Sequence, residues 1–149
     1  MRFHLVDRID TWTSYESIRA RKLTAFDEEF WRESSGGRTT LPRPLVLETL
    51  CQAGTWLLML SSDYAVRAAL LSVERAEFDA DARPGDVLTI EGAVVSRSDA
   101  TAVLDGTVAV GDRRVLSATG IMCALIEADL LDDPAAMRRH GARLLGGGL

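Results

Sequence analysis

The chain has 149 residues, of which 47% are hydrophobic and 26% charged, a balance suited to a globular domain and unlike that of disordered or collagenous chains. This length fits one domain with a real core and is short for two. With 17 Lys and Arg against 22 Asp and Glu, the net charge of −5 leaves no basic surplus to neutralise phosphates, which argues against nucleic acid as a partner.

Residues 1–8 carry no continuous apolar stretch behind their charge, and no run reaches the roughly 18 apolar residues of a membrane span. No membrane partner and a cytoplasmic location are therefore the default expectations. A turn at Thr13-Ser14 precedes a loosely alternating segment, 17–24, predicted as a strand with a charged outer face. Residues 27–31 look like one short acidic helical turn, and Ser34-Ser35-Gly36-Gly37 reads as a loop. The strongest element is 44–60, where Leu45, Val46, Leu47, Leu50, Cys51, Ala53, Trp56, Leu57, Leu58, Met59 and Leu60 fill almost the whole circumference at helical spacing. A helix apolar on all sides is predicted to be buried, and at about 25 Å it suits a protein core better than a bilayer. Pro44 fits its first turn.

Segments 70–77, 87–95, 101–110 and 114–125, rich in Val, Ala, Leu, Ile and Thr, are predicted as strands. Turn signals at Arg83-Pro84-Gly85-Asp86, Ser96-Arg97-Ser98-Asp99 and Gly111-Asp112 separate them. Strands joined by hairpins around one long helix make an α+β layout, with the sheet curled over the helix, as a single domain spanning 1–149. A tail is expected from about 132; within it 135–145 is predicted as a short basic helix, and Gly146-Gly147-Gly148 are expected to fray. Cys51 and Cys123 lie in apolar runs without metal-ligand spacing, so they read as small core hydrophobes and not as a zinc site or disulfide framework.

Glu48 is the only carboxylate in 44–60, and an unpaired charge in apolar surroundings is costly. From composition, two readings stand. In one, Glu48 meets an arginine or the exposed end of the helix. In the other, an apolar pocket holds it as a proton donor or acceptor working near neutral pH. His4 and His140 are expected to be surface or packing histidines, and Trp31, Trp56 and Met59 either line an apolar tunnel or belong to the core.

The stretch Phe30-Trp31-Arg32-Glu33-Ser34-Ser35-Gly36-Gly37-Arg38-Thr39-Thr40-Leu41-Pro42-Arg43-Pro44-Leu45-Val46-Leu47-Glu48-Thr49-Leu50-Cys51-Gln52-Ala53-Gly54 resembles, without a gap, the signature of the bacterial 3-hydroxyacyl-acyl-carrier-protein dehydratases. That signature runs from two aromatics through Gly-His-Phe-Pro-Gly and Met-Pro-Gly to a helix with Glu followed by Ala-Gln-Ala-Gly. Phe3-His4-Leu5-Val6-Asp7-Arg8 is similar to the family's opening Leu-Leu-Val-Asp-Arg, and Phe78 with Pro84-Gly85-Asp86 to its strand and Pro-Gly-Asp turn, so the resemblance spans about residues 3–125.

The resemblance implies a hot-dog fold, a curved antiparallel sheet wrapped around one long central helix, assembling as a dimer. In the family the loop His removes the proton alpha to the thioester carbonyl and the helix Glu protonates the departing hydroxyl, the two coming from different subunits. Glu48 matches the helix acid, whereas the histidine position is Ser34, whose hydroxyl does not titrate near neutral pH and cannot act as base without an activator. The family's glycine at the helix N-terminus, whose N–H meets the thioester oxygen, is Arg43, and Pro44 behind it removes a neighbouring donor. Implied substrate neighbours are Gly37, Leu41, Arg43, Gln52 and Trp31. The implied partner is an acyl carrier protein whose phosphopantetheine arm carries the substrate, with no metal or other cofactor. Arg38, Arg43 and Arg67 are candidates to dock an acidic carrier, or else pair with nearby acids.

A homodimer would hold two Glu48 residues and no loop histidine. The expected role is therefore a dehydratase subunit in fatty-acid, polyketide or polyene-type biosynthesis, with Glu48 completing a site with the His of a homologous partner subunit. A thioesterase of the same fold, its helix carboxylate activating water, and a non-catalytic stabilising or acyl-binding subunit are the alternatives.

Overall fold

In a computed structural model the protein is described at residues 4–25, 32–33, 39–128 and 133–146, with backbone alone at 32–33. The acidic turn expected at 27–31 and the candidates Trp31, Ser34, Gly37 and Arg38 lie outside these residues. The elements are β1 (Arg8–Thr13), β2 (Ser17–Leu23), β3 (Arg32–Glu33), β4 (Thr39–Thr40), α1 (Arg43–Ser61), β5 (Val66–Phe78), β6 (Val87–Arg97), β7 (Thr101–Val110), β8 (Arg113–Glu127) and α2 (Pro134–Leu144).

Six strands form one antiparallel sheet in the order β1-β2-β6-β7-β8-β5, while β3 and β4 make a small ladder of their own. Hairpins join β6 to β7 and β7 to β8. In the first, Ser98 Oγ accepts from the amides of Ala100 and Thr101 at 3.3 and 3.2 Å. In the second, Gly111 takes φ +57°, which a short turn requires and other residues resist. Register shifts between Leu70 and Ser72, Val94 and Ser96, and Leu104 and Gly106 add local twist and curl the sheet over α1. This is the hot-dog layout expected from the sequence.

The core lies between the inner face of the sheet and α1. Leu50, Ala53, Leu57 and Leu58 of the helix are buried with Ile90, Leu104, Val108 and Leu116 of the strands. The two layers approach closely at Gly106, where a Cβ would lie 2.5 Å from Leu50 Cδ1 and 2.6 Å from the Glu91 carbonyl oxygen. Only glycine permits that spacing.

Strand β1 was not expected, since in Arg8–Thr13 only Ile9 turns inward to the core and no alternation announces a strand. The all-round burial expected of the helix is also not found. Arg43, Pro44 and Glu48 are exposed, and Leu45, Leu47, Cys51, Gln52 and Thr55 are only half-buried, so one stripe of α1 is left uncovered by the described residues. At the border of the sheet, edge strand β5 exposes Leu70 and Leu71 at 49% and 58%. No helix among the described residues is long and apolar enough to cross a membrane.

Helix α2 begins as the expected basic helix does, with Asp133 accepting from the Ala135 amide at 3.0 Å and Pro134 in the first turn. Its buried residues, Gly141 and Leu144, face the body of the protein.

Candidate active site

The approach to α1 is fixed before the helix starts. Leu41, expected beside the substrate, is buried, and its amide donates to the Ala82 carbonyl at 2.9 Å. Pro42 occupies the N-cap without a side-chain cap, and Pro44 lacks an N–H, so Arg43 supplies the one amide donor of the first two helical positions. The Arg43 side chain turns toward the β5–β6 connection. Its Nε lies 3.2 Å from Asp81 Oδ1 and its guanidinium 5.5 Å from the Phe78 ring centroid. An exposed ion pair of this kind adds little stability but sets the direction of the side chain.

Glu48 stands on the uncovered stripe of α1. Gln52, one turn on, donates from Nε2 to Glu48 Oε1 at 3.3 Å, and its Oε1 accepts the Leu5 amide at 2.9 Å. The buried Leu5 therefore ties the N-terminal segment to the residue that orients the carboxylate. Of the two readings of Glu48, an exposed position or an apolar pocket, the single chain has the exposed one. Beside it, the Cys51 thiol is pushed up to about 12, chiefly by burial and next by the Glu48 charge, with a smaller contribution from Cys123. Such a thiol stays neutral and is a poor nucleophile.

Between helix and sheet, Leu50, Cys51, Gly54, Leu104, Ile121 and Cys123 help enclose a space of about 10 Å³, hardly enough for one water. A space of that size has no room for an acyl chain. A larger hollow of about 520 Å³, bordered by Arg19, Glu91, Thr107 and Ser117, lies on the outer face of the sheet. Glu91, Thr107 and Ser117 alternate there with the buried Ile90, Val108 and Leu116, so the sheet separates this hollow from Glu48.

Of the other expected residues, Arg67 is 8% exposed with its guanidinium against the Met59 sulfur. A side chain so enclosed does not suit the docking role expected of it. Trp56 and Met59 are buried in the core. The histidines, expected to be unremarkable, meet: the His4 and His140 rings are 4.3 Å apart, and His140 stands 5.0 Å from the Trp56 ring. Neither that meeting nor the Leu5–Gln52 tie has a signal in the sequence, since the partners lie far apart along the chain. Among the described residues no three His, Cys, Asp or Glu are placed to hold a metal ion. The site is thus a single carboxylate, oriented by one amide, on an apolar and half-open helical face.

A family model described as a FabA-like domain matches residues 1–119. The 3-hydroxyacyl-acyl-carrier-protein dehydratase FabZ of Pediococcus pentosaceus is 31% identical over 114 residues, covering 76% of this chain and 76% of its own length. Among solved structures, smu.793 from Streptococcus mutans bound to acetyl CoA aligns with a TM-score of 0.65 at 18% identity, over 85% of this chain and 94% of that one. The dehydratase heterocomplex ApeI:P from Xenorhabdus doucetiae aligns with a TM-score of 0.64 at 12% identity, over 83% of this chain and 82% of that one. At these identities the two structures speak to the fold alone. The match to the family model over most of the chain and the identity with FabZ go further: this protein belongs to the FabA-like family and is a relative of the FabZ 3-hydroxyacyl-acyl-carrier-protein dehydratases.

Proposed function

We propose that this chain is one subunit of a 3-hydroxyacyl-thioester dehydratase and supplies Glu48 to a site completed by the histidine of a homologous partner subunit. The observation that carries the reading is the placement of Glu48, oriented by Gln52 on a stripe of α1 that the described residues leave uncovered. A second subunit laid over that stripe would exclude water and bring its loop beside the carboxylate. The partner's imidazole would take the proton alpha to the thioester carbonyl while Glu48 delivers a proton to the β-hydroxyl. The C–O bond breaks, water leaves, and an enoyl thioester remains. The amide of Arg43, at the positive end of α1, is the candidate donor to the thioester oxygen.

Ser34 occupies the family's histidine position, so a homodimer holds two carboxylates and no loop imidazole, whereas a heterodimer holds one full dyad. The structural neighbour ApeI:P is itself a dehydratase heterocomplex, which makes a mixed assembly a reasonable one for this fold. Substrate would arrive on an acyl carrier protein, with Arg43 and Arg38 as the cations offered to its acidic surface; Gly37, Leu41, Gln52 and Trp31 stay as proposed substrate neighbours.

The test is 3-hydroxyacyl-carrier dehydration by the purified chain alone and after mixing with a homologue that carries the loop histidine. Turnover is expected only in the mixture, and Glu48→Gln should lower it by about 10²–10⁴. Rapid dehydration by the lone chain, or a mixture indifferent to Glu48→Gln, would overturn the shared site. Release of free thiol from acyl thioesters by the lone chain would instead favour the thioesterase reading.

A further inference from the structure

Helix α2 docks through a cluster that the chemistry above does not use. His140 meets His4 edge-on, with ring centroids 4.3 Å apart and planes at 86°, and meets Trp56 of α1 at 5.0 Å and 78°. The next residue, Gly141, is pressed so closely by the Tyr64 hydroxyl and by Trp56, 3.3 Å from where a Cβ would stand, that no side chain fits there. Arg138 completes the contact, with Nη1 2.7 Å from Asp63 Oδ1 and its guanidinium 4.8 Å from the Tyr64 ring centroid. His4 directly precedes Leu5, whose amide holds Gln52 Oε1 at 2.9 Å, and Gln52 in turn meets Glu48 at 3.3 Å. One line of contacts therefore runs from α2 to the carboxylate.

We infer that the His4–His140 contact is a proton-sensitive latch: with His140 neutral it clasps α2 and the N-terminal segment over Trp56, and when His140 gains a proton it lets both loosen, releasing the support beneath Gln52 and Glu48. The groups around His140 leave an added charge poorly compensated. From the N-terminal segment there is His4, and from α1 the uncharged Trp56. From the turn after α1 come Tyr64 and Asp63, the latter already taken by Arg138. From α2 itself come Arg138, Arg139 and Arg143, and from β1 there is Arg8, which reaches Gly146. Burial first, then His4 and Arg143, hold the His140 imidazole below the ordinary 6.5. Its contact with Trp56 offers a cation some attraction, but the balance is downward.

The sign follows directly. A group that protonates less readily in the clasped state than in the open one favours clasping fully above the ordinary value. That advantage shrinks as pH falls from there toward the lowered value. Over this window the open population rises by up to about tenfold per pH unit.

Hydrogen–deuterium exchange of the full chain, corrected for the intrinsic pH dependence of exchange, tests the latch at about pH 7.5 and about pH 5. Peptides covering 4–10 and 134–144 should lose protection together at the lower pH, while the middle of α1 keeps its own. His140→Phe retains a packed ring without the proton and should abolish the difference. Where that variant fails to fold, His4→Phe serves, because removing the facing imidazole should shrink the pH effect. Equal protection of the wild type at both pH values, or an unchanged response in the folded variants, overturns the inference. The link to Glu48 rests on the proposed function, but exchange needs no turnover, so the latch and the shared dyad can fail separately.

Discussion

Gln52→Ala separates support from chemistry at the site. Gln52 Oε1 accepts the Leu5 amide at 2.9 Å in a part-buried bond, and deleting the acceptor leaves that N–H without its protein partner. Loss of a buried partner costs about 1–3 kcal/mol; partial burial points to the lower part of this range, about 1–2 kcal/mol. The contact to Glu48, 3.3 Å long and exposed, adds a few tenths at most. In a chain of 149 residues each kcal/mol lowers Tm by about 2–4 °C, so a fall of about 2–8 °C is expected. Glu48→Gln removes an exposed charge and should change stability by no more than about 0.5 kcal/mol. Both variants are to be unfolded in urea at the same protomer concentration, because association would otherwise shift the apparent stability. A wild-type midpoint for Gln52→Ala would refute the tie between the N-terminal segment and α1. A loss of more than about 1 kcal/mol in Glu48→Gln would refute its place on an open face.

Gly106→Ala should destabilise by about 1–3 kcal/mol in the same assay, because the new Cβ meets the Glu91 backbone oxygen, which cannot move aside as the Leu50 side chain can. With its thiol pushed from 9.0 to about 12, Cys51 should be alkylated at about pH 8 roughly a thousandfold more slowly in the native chain than in urea, as mass spectrometry of the labelled peptide would report. Leu71→Asp, on the exposed border strand β5, should leave the circular dichroism spectrum intact yet abolish association with a partner subunit in light scattering; undiminished assembly would place the interface elsewhere.

The helix and strands were legible because their patterns are strong. The helix expected at 44–60 is α1 (Arg43–Ser61), and the strand expected at 101–110 has the bounds of β7 (Thr101–Val110). The pairing of β2 with β6, across the whole helix and β5, was not legible, since it depends on contacts distant in sequence. β1 escaped because an edge strand with one inward residue carries almost no periodicity. Glu48 was found by composition and motif, but the all-round burial of its helix was misread: an apolar circumference says that a helix is to be covered, not what covers it. Leu45, Leu47 and Cys51 look the same in sequence as the enclosed Leu50 and Leu57. The Gln52 tie joins Leu5 to the middle of α1 and the histidine pair brings residues 4 and 140 together, a geometry that local spacing does not encode.

Strand β5 follows α1 after a short turn, packs against it, and forms one border of the sheet. A chain that lengthens the sheet at this border therefore meets the strand that packs against the helix carrying Glu48. Under the proposed shared site, the one segment 43–78 would carry both the carboxylate and an unpaired sheet border, so a copy without the loop imidazole would keep a means of association.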